Sequence, residues 1–295
     1  MLKYFAFFIL PFVTCGAYAD SFSGALVDVR TNCSNISEQM GDLKKMAGIN
    51  TAISGVGTAA ATGATITGIA KSRVDEDLAE ILAPLARMTQ TALNPALTEA
   101  IDVLKQATTI ERRSAEAEKL EQKSKTLGNV RTGLLGASTA TNLAGAVLAS
   151  TNKIHDDLQQ KINNCIKSVE TLKSATGQAR VDGLDVTQAQ NIITSCEKWN
   201  TVDLSKINNK SKGAMISGIV GATTGAVGTI TSAAANSTSV REGDETKEQN
   251  LNTASNVLAG GTAVAGGVAT VFNATQISAV KKIIAVAEEC EEALK

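Results

Sequence analysis

One histidine, three prolines and 3% aromatic residues are spread over 295 positions. Six of the nine aromatics (Tyr4, Phe5, Phe7, Phe8, Phe12 and Tyr18) precede position 19, which leaves Phe22, Trp199 and Phe272 for the rest of the chain. Sandwiches, propellers and nucleotide-binding α/β domains need aromatic and β-branched strand runs punctuated by turn residues, so these classes are excluded. A single histidine supplies neither the usual zinc ligand set nor more than one nucleophile–base pair. Lys and Arg number 28 against 29 Asp and Glu, a balance that gives no electrostatic footprint for nucleic acid. With 43% hydrophobic and 19% charged residues, the chain is also not of the disordered class.

The first segment has the form of a secretory signal. Lys3, an apolar run from Tyr4 to Val13, and Ala17-Tyr18-Ala19 before Asp20 supply the basic, apolar and A-x-A cleavage regions. Residues 1–19 are therefore expected to be removed, and the protein to be exported to a periplasm or the cell exterior. Cys15 leaves with them. The remaining cysteines are Cys33, Cys165, Cys196 and Cys290, an even number in an oxidising compartment, which predicts two disulfides.

Four long stretches carry no charge: 46–70, 132–152, 213–240 and 249–280. The first pair is joined by a charged segment (71–131) and the second by 241–248. Each pair is flanked by two cysteines. A shift of 125 residues superposes Cys165 on Cys290 and aligns Gly136, Ala140, Ala144 and Ala149 with Gly261, Ala265, Ala269 and Ala274. This pattern suggests two duplicated helical-hairpin units, 20–180 and 181–295. Duplication favours the pairs 33–165 and 196–290, because a unit with its own bridge is copied with it. The pairs 165–196 and 33–290 also satisfy the hairpin geometry.

Seven-residue ladders identify the elements as helices. One runs Leu127, Leu134, Thr141, Leu148, His155, Ile162, Val169, and a second Val130, Ala137, Ala144, Thr151, Leu158, Cys165, Leu172. The same spacing recurs at Ile49, Ile53, Val56, Ala60, Gly63, Thr67 and at Ile216, Val220, Thr223, Val227, Ile230, Ala234. Such a period predicts coiled-coil-like seams. Small residues at four-residue spacing, Gly136/Ala140/Ala144, Gly221/Gly225 and Gly261/Ala265/Ala269, let backbones approach closely in those seams. The expected architecture is an all-α, elongated antiparallel bundle. Pro84 should kink or interrupt a helix, Asn94-Pro95 should restart one, and 175–185 should form a loop with Asp185 or Thr187 capping the helix that follows.

No cluster carries chemistry. His155, placed by the ladder at a seam position, reads as a register-setting polar residue. The glycine clusters lack a following Gly-Lys-Ser/Thr, so no phosphate loop is present. Neither a catalytic residue, a metal nor a cofactor is expected.

Uncharged stretches of this length can cross a hydrocarbon core, and small-xxx-small spacing is a membrane packing device. Against this, Thr51, Thr58, Thr62 and Thr65 form a polar face opposite the Ile49/Ile53/Val56 seam, and insertion favours Leu, Ile and Phe. The leading expectation is therefore an exported, non-enzymatic bundle acting as an interaction, scaffold or surface component with a protein partner or through self-association. Its rival is a membrane-inserting or pore-forming protein using the hairpins at 46–152 and 213–280. The pattern of a helical body with Ala/Gly/Thr-rich hairpins looks like that of α-helical pore-forming toxins and secretion-system translocators, by analogy and through no motif.

Overall fold

The computed structural model describes residues 10–92, 100–237, 240 and 245–295, with side chains placed for 21–85, 109, 111–237, 240 and 246–295. Among them every regular element is a helix and no strand is present. Its elements are α1 (Leu10–Cys33), α2 (Ile36–Ala92), α3 (Ala100–Thr151), α4 (Asp156–Val181), α5 (Thr187–Cys196) with a 3-10 turn at Glu197–Thr201, α6 (Ser205–Ala235) and α7 (Glu245–Ala293). Residues 1–9 of the expected signal and the Asn94-Pro95 restart lie outside the described residues.

The chain forms two compact units. Unit 1 comprises 1–51, 148–214 and 271–295; unit 2 comprises 52–147 and 215–270. Each draws on both sequence halves, and α2, α3, α6 and α7 contribute a segment to each. The expected boundary near residue 180 is instead a short loop inside unit 1. There α4 continues to Val181, and Gly183, at φ 75°, closes it by donating to the Arg180 carbonyl while Leu184 donates to that of Ala179. This termination requires the left-handed conformation that glycine adopts without strain. The Asp185 carboxylate then accepts the backbone N–H of Thr187 at 2.9 Å, although the N-cap position of α5 is Val186, without a side-chain capping bond, rather than the expected Asp185 or Thr187. The bond from Thr187 holds the Asp185 pKa below the ordinary value.

Unit 1 is built outside-polar and inside-apolar. Its core joins Val29, Ile36, Met40, Ile162, Leu172, Ile192, Trp199, Ile207 and Ile283 with all four cysteines. The turn from α1 to α2 places Asn35 at φ 59°, a conformation asparagine tolerates. Cys33 bonds Cys165 and Cys196 bonds Cys290. The bridges therefore tie the end of α1 to α4, and α5 to the end of α7.

Unit 2 has an inverted pattern. Facing inward on α2 are Ser54, Gly57, Ala61, Ala64, Gly68 and Lys71, and on α3 Gly128, Arg131, Leu135, Ser138, Asn142 and Ala146. On α6 the inward row is Gly218, Gly221, Gly225, Gly228 and Ser232, and on α7 Asn252, Ser255, Ala259, Thr262, Ala265 and Ala269. Gly57 adjoins Thr141 while Gly68 adjoins Arg131, so α2 and α3 are antiparallel. Gly221 and Gly266 both meet Asn142, whereas Asn236 and Asn252 bond Thr132 and Arg131. Thus α6 runs with α2, and α7 runs with α3.

Several sequence expectations shift against this structure. The seven-residue spacing is present, but the inward rows lie in a different phase. Ile49, Val56, Val130, Ile216, Val220, Val227 and Ile230, expected in seams, are 48–70% exposed. One residue of offset turns a side chain by about 100° around a helix of 3.6 residues per turn, so Gly136, Ala140, Ala144 and Gly261 also lie off the inward row. Gly221, Gly225, Ala265 and Ala269 are buried as expected. The ladder through His155 is broken. Gln276 donates to the Asn152 carbonyl at 2.7 Å and Asn208 accepts the Ile154 N–H at 2.8 Å, which draws both backbone groups out of helical pairing. His155 is exposed and precedes α4 as its N-cap, without a side-chain capping bond. This break has no counterpart in continuous α7, and the expected duplication is not confirmed. Pro84 does not interrupt α2, which runs from Ile36 to Ala92.

Candidate functional site: an aliphatic surface over a polar seam

The inner seam of unit 2 is polar and tightly keyed. Asn142 on α3, 1% exposed, projects among three glycines, one from each other helix. A Cβ added at Gly57, Gly221 or Gly266 would meet its amide at 3.0, 2.9 and 3.2 Å respectively. Its Nδ2 donates to Ser138 Oγ at 3.3 Å, and Ser138 donates to the Gly57 carbonyl at 2.8 Å. Its Oδ1 has no conventional partner. The same device recurs: Asn236 sits against Gly128, Asn256 against Gly68, and Thr139 against Gly225. Hydroxyl pairs bridge helices at Thr132 and Ser232 (2.8 Å) and at Thr224 and Thr262 (3.0 Å). Small residues at contacts with polar groups bonded across them are the packing mode of helices in lipid, where apolar burial supplies no drive for association.

One end of this seam is ionic. Lys71, 1% exposed, pairs with Asp75 at 2.7 Å and Glu248 at 3.0 Å, and Ser124 donates to the other Asp75 oxygen. Nearby, Arg131 is fully buried and donates to the Asn252 carbonyl at 3.1 Å.

The outward surface is aliphatic. Val56, Ile66, Ile69, Leu143, Val147, Ile216, Ile219, Val220, Val227, Ile230, Val257, Val264 and Val268 are between 41% and 70% exposed. They come from all four helices, within the uncharged stretches. From Ile216 to Ile230 the band spans about 21 Å at a rise of about 1.5 Å per residue, about two thirds of the roughly 30 Å of a hydrocarbon core. Burying each such side chain is worth roughly 1.5–3 kcal/mol, so water contact forgoes a large favourable term.

Threonines were the sequence argument against lipid. Most of the hydroxyls are consumed within their own helices. Thr51, Thr58, Thr62 and Thr65 donate to the carbonyls of Ala47, Ser54, Thr58 and Ala61 at 2.8–3.0 Å. Thr223, Thr224, Thr229 and Thr231 do the same on α6. A hydroxyl bonded back to its own helix has its donor satisfied without water, which lowers its cost in an apolar medium. This was not visible from residue type alone.

Two helical windows, within Thr187–Ala235 and Thr246–Ala293, are long and apolar enough to cross a membrane, with mean hydropathy 1.4. Only 28% and 33% of them is buried, unlike the core helix of a water-soluble protein. The open depression on α4, lined by Asp156, Gln159, Gln160, Asn163, Asn164 and Lys167, comes from a single helix and gathers no catalytic group. Two disulfides fit an oxidising, exported environment. No protein-family model, curated protein or solved structure matches the chain.

Proposed function

We propose that this is an exported, non-enzymatic helical protein whose unit 2 enters a lipid bilayer, while unit 1 stays folded in water as a disulfide-clamped body. The observation that supports this is the inversion of unit 2: small and polar residues inside, Val, Ile and Leu outside. Aliphatic side chains then face acyl chains, Asn142 and the serines remain bonded within the seam, and the Lys71–Glu248 cluster marks the level at which charge returns. Dye release would add pore formation to insertion.

Flotation of the oxidised mature protein with phosphatidylcholine vesicles, with and without anionic lipid, tests the reading. Insertion predicts flotation that survives high salt and carbonate. Its absence from mildly acidic to mildly alkaline pH overturns the proposal.

The second reading is an interaction or scaffold component whose outward rows dock a protein or another copy. It is favoured by the seven-residue spacing of Val257 and Val264, which are 70% and 68% exposed. Concentration-dependent association in vesicle-free solution, together with failed flotation, would select it.

A further inference from the structure

The two bridges of unit 1 are close together. The sulfurs of Cys33, Cys165 and Cys290 all lie within 4.8 Å of one another, and Cys196 is bonded to Cys290. All four residues are at most 1% exposed and share one apolar core with Ile36, Ile192 and Trp199. Disulfide exchange requires a thiolate in reach of a disulfide sulfur. Cys290 is placed within reach of both sulfurs of the other bridge.

We propose that Cys33, Cys165, Cys196 and Cys290 form one exchange-coupled disulfide centre, in which Cys290 passes between its partner on α5 and the bridge joining α1 to α4. Exchange begins once Cys290 is a free thiol, after an external dithiol has reduced the Cys196–Cys290 bond with two electrons and two protons. The Cys290 thiolate attacks Sγ of Cys33 or Cys165 and forms a new S–S bond. The old Cys33–Cys165 bond breaks, and its electron pair leaves on the displaced sulfur. That sulfur takes up the proton that Cys290 released. The exchange step needs no further oxidant or reductant, because one disulfide and two thiols, Cys196 being the spectator, are present before and after it. The end of α7 can thereby exchange its covalent anchor on α5 for one on α1 or α4 without leaving the core. The same proximity explains why hairpin geometry alone left two connectivities open: both bring the cysteines to one place.

Cys196→Ala isolates the step, since it leaves Cys290 without its partner and needs no reductant. The folded, full-length oxidised variant is incubated at mildly alkaline pH, alkylated after acid quenching and mapped without reduction. Exchange predicts label on Cys33 or Cys165 as well as Cys290, and peptides linked through Cys290. The approach to this distribution should be independent of protein concentration and slow about tenfold per pH unit below the thiol pKa, because the thiolate is the attacking species. Label confined to Cys290, with 33–165 as the sole bridge, overturns the proposal. Should the variant lose its helical circular dichroism, unsubstituted protein treated with one equivalent of dithiothreitol decides by the same map: linkage of Cys290 to Cys33 or Cys165 supports exchange, and its absence overturns it.

Discussion

The amide nitrogen of Asn142 lies 2.9 Å from where a Cβ on Gly221 would begin. A side chain on α3 thus fills space that α6 leaves empty, and glycine marks where helices of unit 2 interlock. Gly55, Gly133, Gly136, Gly260, Gly261 and Gly267 on the same helices have no neighbour within 4 Å of a Cβ.

The sign of a glycine-to-alanine change should therefore depend on which face the glycine occupies. At Gly218 the new methyl would meet the Asn142 carbonyl oxygen and the Ala146 Cβ, both at 3.0 Å, and backbone cannot swing aside. Gly218→Ala should cost about 1–3 kcal/mol through overpacking. At Gly261 nothing lies within 4 Å, and Gly261→Ala should gain about 0.5–1 kcal/mol from helix propensity. Urea unfolding followed by circular dichroism measures both. Equal effects at the two positions would refute the seam.

Outward aliphatics should be dispensable for folding and required for membrane entry. Ile230→Glu and Val264→Glu alter residues that are 70% and 68% exposed, so in water each should shift stability by no more than about 0.5 kcal/mol. In lipid the carboxylate at position 264, near the centre of the band, costs roughly 2.5–3.5 kcal/mol on insertion scales, and the one at position 230, at its end, costs less. Together the two changes should reduce carbonate-resistant vesicle binding by more than a hundredfold, with an unchanged melting temperature. Retained binding would argue against insertion through this band.

Lys71 is held by two carboxylates, and the pair should behave as a unit. Glu248→Gln leaves the Asp75 contact at 2.7 Å, and Asp75→Asn leaves the Glu248 contact at 3.0 Å. Each alone should be mild. The double variant strands a buried ammonium and should cost about 3–5 kcal/mol, the penalty for an uncompensated buried charge. A double-mutant cycle reads this as a loss larger than the sum of the two. Additivity would mean that Lys71 finds other compensation.

Each bridge should contribute substantially to the stability of unit 1. Cys33–Cys165 spans 132 residues and Cys196–Cys290 spans 94. Replacing Cys33 and Cys165 together by alanine should cost about 2–5 kcal/mol, chiefly by freeing the unfolded chain. Trp199, 1% exposed and the sole tryptophan, gives a fluorescence signal specific to unit 1. Its transition should move to lower denaturant while the helical signal from unit 2 moves less.

Local features were legible wherever they depended on a few neighbouring residues. The turn bond from the Thr187 N–H to Asp185 follows from a carboxylate two positions before a free N–H, and the scarcity of aromatics follows through to helices whose contacts are made by Ala, Gly, Ser and Asn. The disulfide partners were readable only through symmetry, and the helix break was not readable at all. Asn152 and Ile154 depart from helical pairing because Gln276 and Asn208, 124 and 54 residues away in sequence, claim their backbone groups. Likewise, nothing in residue type distinguishes a threonine facing water from one bonded to its own carbonyls.

Composition and period by themselves determined that this chain is helical, that its helices carry a seven-residue repeat, and that its cysteines come in pairs. These properties are set along one helix, by backbone geometry and side-chain size. Tertiary structure decided which row of that repeat faces inward. When bulky and small residues both recur every seven positions, either row satisfies the period. The choice depends on how closely four backbones approach and on which polar groups find partners across the gap. In unit 2 close approach selected Gly57, Asn142, Gly221 and Gly266 for the interior and turned Val56 and Ile230 outward, which is why part of the row the sequence assigned to the core became the surface while Gly221 stayed inside.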